Sequence, residues 1–146
     1  MFTVEITESA AMDNTEAMQD TFEGLQRLGV HIAIDDFGTG YSSLANLRRL
    51  PASELKIDRS FVQDLDTSAN ARAIVDAVLK LAQALGMSAV AEGVETPSQR
   101  ELLQRLGCDQ MQGYLYARPM SANVLMQWVR DQRASAGRLD EGPARP

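Results

Sequence analysis

The chain has 146 residues, 45% hydrophobic and 23% charged. That is the make-up of one folded domain around one core, and it excludes disordered and fibrous classes. With 14 Lys+Arg against 20 Asp+Glu the net charge is −6, which argues against a nucleic acid polymer as partner. One cysteine, Cys108, can form neither an internal disulfide nor a thiolate metal cage, so a reducing, cytoplasmic location is expected. No apolar run approaches the ~20 residues of a membrane span, and the first ten residues carry no basic leader. Membrane insertion is therefore not expected.

Short β-like runs alternate with longer helical ones, the order of parallel strands joined by crossover helices. Strands are predicted over residues 2–7, 30–35, 54–58, 87–92 and 109–113. After the first strand, Met18, Thr21, Phe22, Leu25 and Leu28 form a stripe at helical spacing, and Gly29 stands where a left-handed cap is wanted. A second helix carries Ala71, Ile74, Val75, Val78, Ala82 and Leu85 on one face and closes at Gly86. A third starts with Thr96 as N-cap, Pro97 at the first position and Gln99 completing a capping box, and ends at Gly107. The junction Leu25-Gln26-Arg27-Leu28-Gly29 returns as Leu103-Gln104-Arg105-Leu106-Gly107, which supports a repeated helix-to-strand unit. A last helix begins near Ser121 and is expected to pack Val124, Leu125, Trp128 and Val129 inward. Residues 134–146 lack periodicity and read as a disordered tail, leaving residues 1–133 as the folded part.

Side chains alternate between the two faces of a strand, so the parity of each strand can be read off. Phe2, Val4 and Ile6, Ile32 and Ile34, Leu55 and Ile57, and Ala89 and Ala91 take the side under the helices. The other parity then delivers Glu5, Asp35, Lys56, Glu92 and Gln112 near the C-terminal ends of their strands, with Asp36 one residue beyond its strand. Carboxylates converging on one mouth need cations. Oxygen ligands without thiolates or paired histidines favour Mg²⁺, Mn²⁺ or Ca²⁺ over Zn²⁺, and adjacent aspartates could reach two ions. The competing interpretation is a set of solvated strand ends held in salt bridges.

The stretch Asp35-Asp36-Phe37-Gly38-Thr39-Gly40-Tyr41-Ser42-Ser43-Leu44 resembles the signature loop of EAL phosphodiesterase domains, which hydrolyse cyclic di-GMP. Glu5-Ile6-Thr7-Glu8-Ser9 before it, and Leu55-Lys56-Ile57-Asp58, Ala91-Glu92-Gly93-Val94-Glu95-Thr96 and Gln112-Gly113-Tyr114 after it, resemble further family motifs in the family's order. The resemblance implies an α/β fold, part of a TIM (β/α)8 barrel with its active site at the C-terminal ends of the strands. By position, Glu5, Asp35 and Asp36 match metal-binding carboxylates, with Asp35 between two Mg²⁺ or Mn²⁺ ions. Lys56 matches a lysine beside the attacking water, and Glu92 a glutamate that helps hold or deprotonate it. Glu95 and Gln112 match supporting positions near metals and substrate. Glu8 matches a glutamate that pins the loop carrying residues 36–44. The implied chemistry is attack of a metal-activated hydroxide on a phosphodiester bond, giving the linear dinucleotide.

Five parallel units fall short of eight, for which ~250 residues are typical. By the resemblance, the missing N-terminal units carry the Glu-Ala-Leu motif and an Asn ligand, so the two-metal site is expected to be incomplete here and the isolated fragment inactive. Glu16-Ala17-Met18 lies on a helix after Glu5 and cannot fill that place. Open strand edges invite the missing half of the barrel or a second copy, including a homodimer. A non-catalytic module that binds cyclic di-GMP or dimerises is the alternative. Gly38-Thr39-Gly40 lacks the Lys-Ser of a phosphate loop and reads as a turn; His31 reads as packed, and Cys108 as inert.

Overall fold

A computed structural model describes residues 2–11, 15–38 and 44–137. Two compact units are present, Met1–Tyr116 and Ala117–Pro146. The first holds five strands and six helices among its described residues: β1 (Thr3–Thr7), α1 (Glu8–Ala11), α2 (Glu16–Arg27), β2 (His31–Phe37), α3 (Leu44–Leu47), β3 (Glu54–Ile57), α4 (Arg59–Gln63), α5 (Ala69–Leu85), β4 (Ser88–Ala91), α6 (Pro97–Arg105) and β5 (Gln110–Met111). The second contains α7 (Ala122–Gly137).

The strands form one parallel sheet in the order β1-β2-β3-β4-β5. Each strand lies beside its chain neighbour, as successive units of a (β/α)8 barrel do. Ile34, Leu55, Ile57, Ala89 and Ala91 cover one face and pack with Val62, Leu65, Val75, Val78, Leu79, Ala82 and Leu103 in the main core. Ala33, Lys56 and Val90, on the opposite parity, are buried as well. The middle strands are thus enclosed on both faces, as parallel sheets require.

The helix punctuation follows the sequence closely. Thr96 accepts from the Gln99 N–H while Gln99 Oε1 accepts from the Thr96 N–H, a closed capping box with Pro97 at the first turn. Gly86 caps α5 in the left-handed conformation with φ 70°. Thr15, Asp58 and Ser68 are further N-caps, each accepting a backbone N–H of the first turn of α2, α4 or α5.

Several expectations are corrected. Leu28 is exposed because it stands past the last turn of α2, where Phe22 is the buried member of the stripe. On α5 Ile74 is exposed and Leu79 is buried; Ala71, Val75, Val78 and Ala82 set the axis of the face, and Ile74 lies on its flank. Phe2 is 81% exposed and Val4 is also exposed, since among the described residues β1 has a sheet neighbour on one side only. Of the residues expected to pack inward from α7, Val124 and Leu125 are exposed and Trp128 and Val129 are half-buried, because among the described residues that unit has one helix and no opposing layer of its own. That helix runs to Gly137, four residues past the boundary read at Arg133; residues 138–146 lie outside the described residues. His31 and Cys108 behave as expected: His31 Nδ1 lies 3.3 Å from Ser53 Oγ, and burial pushes the Cys108 thiol up. Among the described residues no helix is long and apolar enough to cross a membrane.

Candidate active site

The inward parity of four strands converges on one amine. Lys56 Nζ lies 2.8 Å from Glu5 Oε1, 3.0 Å from Asp35 Oδ1 and 2.8 Å from Glu92 Oε1. Strand register explains why these groups meet. Ile34 stands opposite Leu55 and Lys56 opposite Val90, so Asp35, Lys56 and Val90 share a level across the sheet. Glu5 is paired with Ala33, one inward position behind that level, and Glu92 follows β4 one inward position ahead. Glutamate side chains on β1 and after β4 span these offsets; an aspartate suffices on β2. Gln112 Nε2 then donates to Glu92 Oε1, so the same oxygen holds both Lys56 and Gln112.

The exit of β2 departs from regular geometry. Ile34 pairs with Leu55 and Phe37 with Ile57, so two residues, Asp35 and Asp36, oppose the single Lys56. This bulge keeps both Ile34 and Phe37 in the core and lengthens the strand, so that Asp36 lies inside β2 rather than beyond it. Asp36 has φ 56°, a left-handed conformation that costs a non-glycine residue roughly 1 kcal/mol. Such strain persists where the surroundings impose it. Here the next turn is fixed by Glu8, itself 3% exposed, whose Oε2 accepts from the Gly38 N–H at 3.0 Å. Glu8 therefore holds the turn at Gly38 that follows β2. Residues 39–43 lie outside the described residues.

Burial alone would lower the Lys56 pKa, but hydrogen bonds to Glu5 and Glu92, with the Asp35 carboxylate also close by, outweigh it and hold the ammonium well above its ordinary value of 10.5. Lys56 is a permanent cation at any physiological pH. Three carboxylates around one ammonium leave a formal excess of two negative charges, the electrostatic condition for attracting a divalent cation. Asp35 Oδ1 is buried and, although close to Nζ, accepts no well-directed hydrogen bond. Hard oxygen donors and that orphaned atom fit a divalent ion. Yet among the described residues no three His, Cys, Asp or Glu groups are disposed to hold one by themselves. The residues fit as part of a metal centre and do not constitute a whole one.

Of the eight residues singled out from the sequence, Glu5, Asp35, Lys56, Glu92 and Gln112 form this cluster, and Glu8 acts on the adjoining turn. Asp36 and Glu95 are exposed and do not join the carboxylates at Lys56; the Glu95 N–H instead donates to Gln99 Oε1 at 2.8 Å. Asp58 shares the inward parity but is spent on capping α4. From the sequence, Gly113 reads only as part of the Gln112-Gly113-Tyr114 motif, with no role of its own. A Cβ there would fall 2.2 Å from the Val94 carbonyl oxygen, so only glycine lets the chain after Gln112 run against the segment after Glu92. A glycine directly following a polar strand end was the available signal. A groove of about 500 Å³ lies elsewhere, between Met18, Phe22 and Gln26 of α2 and the segment Arg49, Leu50 and Pro51.

The chain is similar to known proteins over most of its length. The chain is 53% identical over 126 residues to the bifunctional diguanylate cyclase/cyclic di-GMP phosphodiesterase MucR of Pseudomonas aeruginosa, covering 86% of this chain and 18% of MucR. It is 47% identical over 133 residues to the cyclic di-GMP phosphodiesterase NbdA of the same organism, covering 91% of this chain and 17% of NbdA. The chain thus spans under a fifth of the length of these curated relatives. The solved MucR phosphodiesterase in complex with c-di-GMP superposes with a TM-score of 0.80 at 53% identity, over 84% of this chain and 50% of that one. BlrP1 of Klebsiella pneumoniae, solved with manganese and cyclic di-GMP, superposes with a TM-score of 0.73 at 37% identity, over 80% of this chain and 30% of that one. The five-stranded sheet corresponds to part of the TIM barrel of such domains. With the EAL domain model matching residues 1–119, motifs and geometry together, the chain belongs to the EAL domain family.

Proposed function

We propose that this chain forms the C-terminal share of a phosphodiesterase site that hydrolyses cyclic di-GMP to the linear dinucleotide with Mg²⁺ or Mn²⁺. The observation that carries the reading is the gathering of Glu5, Asp35 and Glu92 within 3.0 Å of Lys56 Nζ at one rim of the sheet. Support comes from relatives named as cyclic di-GMP phosphodiesterases and from the manganese/cyclic di-GMP complex of BlrP1. Glu5, Asp35 and Asp36 would contribute oxygen ligands. When bound, the divalent ions would supply an activated water and stabilise charge developing on phosphorus.

The chain's own residues divide the remaining work. Lys56 cannot act as a base, being permanently charged; it fixes the attacking oxygen and offsets negative charge in the transition state. Glu92 Oε1 is engaged by Lys56 and Gln112, so a proton leaving the attacking water would pass to Oε2. Glu8 holds the turn that follows Asp36, and Glu95 supports the site from outside the cluster. With ligands still to come from other units, chain 1–146 alone gives little or no turnover. Its natural complement is the missing part of the barrel, or a second copy meeting the free edge of β1 as a homodimer.

Incubation with cyclic di-GMP and Mn²⁺, scored for the linear dinucleotide, tests this. Chain 1–146 is expected to be nearly silent, to gain activity when fused to the N-terminal units of an EAL domain, and to lose it again in Asp35→Asn. Asp35-dependent product from the chain alone overturns the expected inactivity. Saturable binding without product even in the fused form favours the second reading, a non-catalytic binding module, to which the lack of a self-sufficient three-ligand group among the described residues lends support.

A further inference from the structure

Gly38 is gripped from two sides. Its N–H is held by Glu8 from the β1 exit, and its α-carbon faces the ring of Phe61 from α4, so that a Cβ would lie 2.9 Å from Phe61 Cε2 and 3.4 Å from Cζ. Gly38 itself has φ 100°, and two residues before it Asp36 holds φ 56°. The strain at Asp36, separated from Gly38 only by buried Phe37, is held by restraints in its surroundings. Glu8 supplies a polar one. From the sequence, Phe61 reads merely as one more apolar residue after β3. In the fold its ring is half-buried, packed on the core at one edge and against the turn at the other. Asp58 sets its aim: the carboxylate accepts from the Ser60 N–H and hydroxyl, starting α4 directly off the strand that carries Lys56.

We propose that Phe61 is a positioning residue for Asp36: its ring clamps Gly38 against the Glu8 carboxylate and so holds the strained end of β2 in place. The proposal rests on the reading of Asp36 as a contributor of oxygen ligands in the proposed function, but its test does not depend on turnover. The α4 ring thereby ties the exit of β3 to the exit of β2, just as Glu8 ties the exit of β1. Three successive strand ends become one mechanical unit.

The decisive measurement is amide hydrogen exchange at Gly38, by NMR on chain 1–146, with Ile34 and Ile57 as core references. Phe61→Leu keeps an apolar side chain of similar volume but lacks the outer ring atoms that reach Gly38. It is expected to speed Gly38 exchange about tenfold, the worth of one weakened hydrogen bond, while Ile34 and Ile57 keep their protection. Phe61→Tyr retains the ring and is expected to restore wild-type exchange. Unchanged Gly38 exchange in Phe61→Leu overturns the proposal. So does loss of protection at Ile34 and Ile57 together with Gly38, which would make Phe61 a core residue only. Failure of the fused domain to hydrolyse cyclic di-GMP, with the exchange result intact, would instead remove the functional reading and leave the clamp standing.

Discussion

β1 and β3 are built by the same rule and have opposite fates. Both alternate apolar and polar residues, and both send one charged side chain to the common rim, Glu5 from one and Lys56 from the other. In β3, Leu55, Lys56 and Ile57 are all buried; in β1 every residue is exposed or half-buried, and the Glu5 side chain keeps 54% of its surface against 6% for Lys56. The difference lies outside the strands. β3 has β2 and β4 on its flanks and α5 beneath it, whereas β1 has one strand neighbour among the described residues. Burial, and with it the strength of every ion pair at the rim, is set by how many neighbours a strand has.

Replacing the buried cation tests that contrast most severely. Lys56→Met leaves Glu5, Asp35 and Glu92 crowded without compensation and is expected to cost about 4 kcal/mol, read as a lower urea midpoint. Because its pKa lies above 10.5 in the folded chain, the lysine's stabilisation is complete below that pH and fades only as pH rises through the higher folded value. The gap between wild type and Lys56→Met should therefore hold steady from about pH 6 to 9; a gap that closes within that window would contradict a permanently charged Lys56.

Apolar truncations sharpen the same comparison. Leu55→Ala, at a fully buried site, is expected to cost about 3 kcal/mol, and Val4→Ala on the edge strand only a few tenths. Fusion to the N-terminal barrel units should raise the cost of Val4→Ala towards that of a core position; equal costs in the isolated chain would show that β1 is already covered.

Among the carboxylates, Glu92→Gln removes the negative charge from the acceptor shared by Lys56 and Gln112 and should cost about 1.5 kcal/mol. Glu5→Gln, largely in water, should cost under about 1 kcal/mol. Thermal denaturation of the two variants side by side checks the order. The smallest effect has the opposite sign. Asp36→Gly relieves the left-handed strain and is expected to stabilise the chain by about 0.5 kcal/mol while lowering turnover of the fused domain.

Much of this site is legible in the amino-acid sequence. Strand parity puts Glu5, Asp35, Lys56, Glu92 and Gln112 on one side, and all five meet. The caps at Thr96 and Gly86 are legible because their chemistry is local. The bulge at Asp35 and Asp36 is not, since a two-residue period has no letter for an extra residue; it becomes visible only in the unequal pairing with β3. Phe61 is hidden for a related reason: nothing near it in sequence says that its ring will meet Gly38, 23 positions earlier.

What the sequence determined alone is everything set by neighbours a few residues away: the alternation of strand and helix, the inward parity of the charged residues, the caps. What only the tertiary structure decided is set by packing between distant segments: the left-handed Asp36, the ammonium at the centre of three carboxylates, and the exposure of β1 and of Val124, Leu125 and Met126. Local conformation answers to local sequence because its energies are those of adjacent torsions and hydrogen bonds. Burial and charge pairing depend on which other strands and helices are present to enclose them.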